Sequence, residues 1–166
     1  MKMDLKQLFD IVGEERVIDC SLDFSEESVY GQTPFRAPVR VTGRIGNRAG
    51  VVRLVFGVKS VLSLVCDRCL EPFEREYDFS FEHVLVRELN TDSADTEEFV
   101  VCEEGVLDLT ELVRTDFLLE LPTKVLCRED CKGLCPQCGK NLNFDSCQCK
   151  TQSIDPRWEV LSEMFS

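Results

Sequence analysis

Val39, Val41 and Ile45 alternate with Arg40, Thr42 and Arg44, the two-residue period of a strand with one buried face. Gly46-Asn47-Arg48-Ala49-Gly50 interrupts the run as a turn, and Val51 to Val65 follows as a long, β-branched second strand. Beyond Cys66-Asp67-Arg68-Cys69, a third strand places Phe73, Tyr77, Phe79, Phe81 and Leu85 opposite Glu74, Glu76, Asp78 and Glu82. Together the three predict an antiparallel meander. Upstream, Leu5, Leu8, Phe9 and Val12 recur at helical spacing over residues 4–12, with Asp4 as cap and Gly13 as stop. Residues 16–24 read as a strand and residues 25–34 as turns. Phe99-Val100-Val101-Cys102 predicts another strand after an acidic loop over 90–98. Asp108, with Glu111 three residues on, predicts a capped helix with Leu109, Leu112, Val113 and Phe117 as its apolar stripe and Pro122 as its end. Asp155-Pro156 opens a last helix bearing Trp158, Leu161 and Phe165. The pattern predicts an α+β fold. An antiparallel β-sheet with flanking helices fills residues 1–122, and a cysteine-rich zinc-binding module with a C-terminal helix fills 123–166.

Composition narrows the class. The chain has 166 residues, a net charge of −12 and ten cysteines. A hydrophobic content of 43% is too high for a wholly disordered acidic chain. No apolar run reaches the roughly 18 residues of a membrane span, and Met1 to Lys6 contain no apolar signal core. These readings predict a cytoplasmic protein whose cysteines are metal ligands or buried thiols rather than disulfides.

Six thiols are strung as Cys127-x3-Cys131-x3-Cys135-x2-Cys138-x8-Cys147-x-Cys149. Zinc takes four tetrahedral ligands and favours thiolate in structural sites. Cys135-Pro136-Gln137-Cys138-Gly139 has the form of a zinc knuckle, its glycine free to turn backbone N–H groups toward sulfur. Cys147 and Cys149 complete the tetrahedron. The alternatives are free thiols or an iron–sulfur cluster. Cys66-x2-Cys69 is open to three readings: a packed turn, a redox pair, or half of a second zinc site shared with Cys127 and Cys131. One or two zinc ions are expected accordingly. Cys20 and Cys102 read as core thiols.

Charge is partitioned along the chain. Between Ser28 and Cys66 there are six basic residues and no Asp or Glu. Arg36, Arg40 and Arg44, spaced by four, share the solvent face of their strand, with Arg48 in the adjoining turn. Guanidinium forks bind phosphates and stack on bases, so the row is a candidate RNA surface. The competing reading pairs these cations with Glu74, Glu76, Asp78 and Glu82 across the sheet. No catalytic constellation is visible. The single histidine, His83, falls on the apolar face of its strand and reads as a satisfied structural group.

Cys66-Asp67-Arg68-Cys69-Leu70-Glu71-Pro72, Asp108-Leu109 running to Leu121-Pro122, the string from Cys127 to Gly139, and Asp155-Pro156-Arg157-Trp158 occur in a fixed order. In this order and spacing they resemble the YceD family, the large ribosomal RNA subunit accumulation proteins, over nearly the whole chain. The resemblance implies a cytoplasmic bacterial protein, not a known enzyme, that supports maturation or accumulation of 23S ribosomal RNA. Its implied partners are ribosomal RNA or a large-subunit assembly intermediate, or basic ribosomal proteins, with no membrane and no small-molecule substrate. Members with histidine at the last two ligand positions support Cys147 and Cys149 as ligands. Two rival functions are a zinc-ribbon adaptor that binds protein without RNA and a thiol redox protein.

Overall fold

A computed structural model of the chain describes residues 1–88 and 99–149. The acidic loop over 90–98 and the Trp158 helix lie outside the described residues. The chain divides into two compact units, Met1–Leu64 with Pro72–Val125, and Val65–Glu71 with the segment that follows Val125.

The first unit contains β1 (Lys2–Asp4), α1 (Lys6–Asp10), β2 (Glu15–Leu22), β3 (Val39–Arg48), β4 (Val51–Val65), β5 (Pro72–Val86), β6 (Phe99–Val101), β7 (Val106–Asp108) and α2 (Leu109–Glu120). The terminal residue of β4 already belongs to the second unit. Five strands form one sheet in the order β2-β3-β4-β5-β6, and β1 pairs with β7 separately. The expected alternation is present on β3, where Val39, Val41 and Ile45 are buried and Arg40, Thr42 and Arg44 exposed.

The sheet is not a pure antiparallel meander. β2–β3 and β3–β4 are antiparallel, but β6 runs parallel to β5, in register Val84↔Phe99. Strand periodicity carries no information about direction. The stretch between Val86 and Phe99 is as long as the roughly dozen residues that a parallel crossover needs. β1 and β7 have no signature in the sequence, because three residues are too few to show alternation. They also shorten the first helix. Lys6–Asp10 is helical, Leu5 rather than Asp4 is its N-cap, and Asp4 Oδ1 accepts from the Lys6 N–H at 2.9 Å.

The β3–β4 turn is tighter than the sequence suggests. Ala49 and Gly50 have φ of 52° and 83°, the paired positive values of a two-residue hairpin loop. Gly46, Asn47 and Arg48 therefore belong to β3 rather than to the turn. Asn47 is buried, and its Nδ2 donates to Leu8 O at 2.9 Å and Phe9 O at 3.2 Å, while Gly50 N donates to its Oδ1. One side chain thus ties the end of α1 to the hairpin. Asn47→Ala removes both donors and is expected to cost about 2 kcal/mol in a urea titration.

The inner face of the sheet meets α2 in one apolar cluster with Phe117 at its centre. The Phe117 ring lies 5.5 Å from that of Phe79, 5.9 Å from Phe35 and 6.4 Å from Tyr77. The helix begins as expected: Asp108 is the N-cap and accepts from the Glu111 N–H. Cys102 joins the core fully buried, and burial pushes its thiol pKa up to about 11. Cys20 packs against the core half-buried.

Candidate metal centres and the basic strand face

Ten free cysteines sort by position. In the second unit the sulfurs of Cys66, Cys69, Cys127 and Cys131 lie within 4.8 Å of one another, and so do those of Cys135, Cys138, Cys147 and Cys149. All eight candidate thiols therefore converge, four and four. Cys66 and Cys69 meet the first two thiols of the distal string rather than forming a pair of their own.

The two groups are built on the same backbone device. Leu70 N donates to Cys66 O at 2.9 Å and Cys66 N to Glu71 O at 3.0 Å. Gly139 N donates to Cys135 O at 2.9 Å and Cys135 N to Lys140 O at 2.8 Å. Each C-x2-C is thus a tight loop that returns at the residue after its second cysteine, with φ of 59° at Leu70 and 70° at Gly139. Such a loop aims successive N–H groups at the first sulfur. Burial works against ionisation of Cys66, but N–H groups of Cys127, Cys69 and Arg68 overcome it and bring the thiol down to about 6. N–H groups of Cys138 and Gln137 bring Cys135 down to about 6.

Other members of each group are driven the opposite way. Burial and the Cys69 thiol push Cys127 up to about 12, and the Cys138 thiol with burial pushes Cys149 up to about 12. Four thiols crowd into each site, and ionising the last of them is unfavourable there without a cation. The spacing fits one. Cys66 Sγ–Cys131 Sγ and Cys69 Sγ–Cys127 Sγ are both 3.7 Å. A tetrahedron with sulfurs about 2.3 Å from a central zinc has edges of about 3.8 Å. The space suits one ion rather than a cluster carrying its own sulfides.

The first group has outer support. Asn143 Nδ2 reaches Cys131 Sγ at 3.3 Å, and Arg68 Nη1 donates to Cys131 O at 2.9 Å. Leu70 is exposed yet holds a backbone conformation that glycine adopts without cost, as Gly139 does at the equivalent place. Leu70→Gly is therefore expected to stabilise the metal-loaded protein by about 1 kcal/mol, seen as a higher melting temperature.

Arg40 and Arg44 lie on the outer face of the sheet, as their spacing predicts, and Arg48 joins them on β3; Arg36 does not, because β3 begins only at Val39, after Pro38, whose nitrogen has no proton for a ladder bond. Their carboxylate partners differ from those expected. Arg40 pairs with Asp19 at 3.4 Å and Arg44 with Glu15 at 3.9 Å, both on β2. The β5 acids instead meet β4: Glu82 pairs with Arg53 and Asp78 with Lys59, each at 2.7 Å. Neither Arg36 nor Arg48 makes an ion pair within 4.0 Å among the described residues. The face is thus striped, with basic β3 and β4 between acidic β2 and β5. The spacing of the row does not single out Arg53. The register sets it opposite Gly46, between Arg44 and Arg48, and counting residues across the two-residue turn recovers it.

His83 is held by Asp116, with Nε2 2.7 Å from Oδ2, and its ring stacks on Phe56. Among the described residues, no helix is long and apolar enough to cross a membrane.

Comparison with known proteins agrees with these motifs. The chain is 26% identical to the uncharacterized protein YlbN of Bacillus subtilis over 167 aligned residues, covering 99% of this chain and 96% of that one. It is 35% identical to an uncharacterized protein of Mycobacterium tuberculosis over 102 residues, 60% of this chain and 49% of that one. It is 28% identical over 150 residues to the large ribosomal RNA subunit accumulation protein YCED homolog 1, chloroplastic, of Zea mays, covering 72% and 51%. The chain thus spans about half the length of the mycobacterial and maize relatives. No solved structure matches it. The model of the family described as large ribosomal RNA subunit accumulation protein YceD matches residues 54–165, from near the start of β4 through both cysteine groups, and the chain belongs to that family.

Proposed function

We propose that the chain is a non-catalytic factor in accumulation of the large ribosomal subunit and its 23S RNA in the bacterial cytoplasm. Its second unit folds on two zinc ions, and the basic β3–β4 face contacts RNA. The family match carries this reading, since it spans both cysteine groups and extends to relatives named for accumulation of large-subunit ribosomal RNA. Cys66, Cys69, Cys127 and Cys131 hold one ion, and Cys135, Cys138, Cys147 and Cys149 the other. Zinc supplies cross-linking here rather than reactivity, because four thiolates leave it no open position. Arg36, Arg40, Arg44 and Arg48 bind the phosphates, and the acidic flanks discourage indiscriminate binding.

Depletion of the protein in its own cell tests the assignment. The expected result is a lower ratio of 23S to 16S RNA and fewer large subunits in a sucrose gradient, restored by the wild-type gene. An unchanged ratio in cells shown to lack the protein overturns it.

A further inference from the structure

The outer face of the sheet is hollowed where it is most basic. A depression of about 350 Å³ lies among Arg44, Arg48, Arg53, Glu15 and Glu82, floored at Gly46. A second, of about 410 Å³, adjoins it and shares Glu15, Arg44 and Val55. This second lobe has a different chemistry. Val17, Val55 and Gly57 give it an apolar floor, and Thr42 and Ser80 place hydroxyls at its margin. Val17 is 81% exposed, which is unusual for a valine in a paired strand.

We propose that this two-lobed trough is a binding site for one nucleotide of single-stranded RNA, its phosphate held by Arg44, Arg48 and Arg53 and its base laid on the floor between Val17 and Gly57. The proposal rests on the RNA reading above and specifies where on the sheet the RNA sits. Three guanidinium groups converge on the first lobe. The ion pairs of Arg44 and Arg53 leave both side chains about 60% exposed, and pairs of that kind are weak. A phosphate accepting bidentate bonds displaces them. An unstacked base offers an apolar face and a polar edge, which matches a valine floor bordered by hydroxyls.

Two glycines keep the trough open. A Cβ on Gly57 would meet nothing nearer than Phe79 O at 3.6 Å, and one on Gly46 nothing nearer than Glu14 O at 3.4 Å. The strands do not require glycine at either position, and a larger side chain there would fill the hollow.

The test is fluorescence anisotropy with the zinc-loaded full chain and a labelled, single-stranded 10-nucleotide RNA across a salt series. Arg48→Gln with Arg53→Gln is expected to weaken binding about tenfold and to flatten the log–log salt slope by about 0.7, the value for the one phosphate that is no longer neutralised. Gly57→Leu is expected to weaken binding about fivefold with the slope unchanged, because it blocks the base lobe and leaves the charges. Arg87→Gln, which removes one charge away from the trough, is the control, and melting curves verify that each variant folds. RNA binding by the wild type that neither the arginine pair nor Gly57→Leu alters overturns the trough while leaving the RNA reading standing. A wild type that binds no RNA in 50 mM salt overturns both.

Discussion

Stripping zinc from the full chain is expected to unfold residues 126–149 while the core of the sheet keeps its hydrogen-exchange protection. The reason lies in what the second unit lacks. Apart from Gly133, its only buried residues among those described are Cys66, Cys69, Cys131 and Cys135. Leu70 and Phe144 are 63% and 75% exposed. Among the described residues there is no apolar cluster to offset the entropy of ordering the chain, so folding there must be driven by metal binding. In small cysteine modules that contribution is about 10–16 kcal/mol near neutral pH. The first unit draws its stability from a separate cluster containing none of the eight clustered thiols. The two groups should also differ in sensitivity. Cys131 is buried and supported by Asn143, whereas Cys149 is exposed. Cys131→Ser is expected to lower zinc from two to one or fewer per chain and to loosen the whole unit, and Cys149→Ser to have a milder effect. The measurements are metal content by mass spectrometry and hydrogen exchange before and after chelation. Fewer than about 0.5 zinc per chain in protein made with ample zinc, or exchange at 126–149 unchanged by chelation, rejects this account.

The features legible in the sequence are those whose signal is local. β3 announces itself by alternation, β4 by a long β-branched run, and the Asp108 cap by a carboxylate three residues ahead of Glu111. The Cys135 knuckle is legible because its ligand spacing and its glycine sit within five residues. What the sequence leaves open depends on chain segments far apart. Whether Cys66 and Cys69 meet Cys127 and Cys131 is decided by how residues 65–71 fold beside the distal string, and spacing alone allows a redox pair or a packed turn equally well. Leu70 hides the likeness between the two knuckles, since a leucine at positive φ has no sequence signature. The direction of β6 and the pairing of β1 with β7 are likewise long-range choices. Parity places Arg40 and Arg44 on the correct face but extends the row to Arg36, which precedes the strand. It does not find the row's partners, because a strand in mid-sheet has two neighbours, and the acids nearest in pattern, on β5, border β4 instead.

Gly43→Ala is expected to be the most damaging single methyl addition in the sheet, costing about 3 kcal/mol or more and lowering the melting temperature by about 10 °C. Gly43 sits opposite Phe56 in the β3–β4 ladder. A Cβ there would lie 2.3 Å from Val55 O and 2.7 Å from both Cα and Cβ of Phe56. Two of these atoms are backbone, so no rotamer change relieves the overlap. The strands would have to separate where each has partners on both sides. The Phe56 ring would also be pushed away from Phe81, whose centroid is 5.3 Å distant, and from His83 at 6.0 Å. The glycine is therefore the counterpart of the phenylalanine: the absence of a side chain on β3 allows the largest fully buried residue of β4 to cross over it. Gly57→Ala is the control, since the same methyl meets its neighbours only at ordinary distances on the outer face. It is expected to be neutral or to stabilise slightly, because alanine has less freedom to lose on folding. Parallel urea and thermal melts of the two variants decide the matter. Equal stabilities would mean that the Gly43–Phe56 approach does not constrain the sheet.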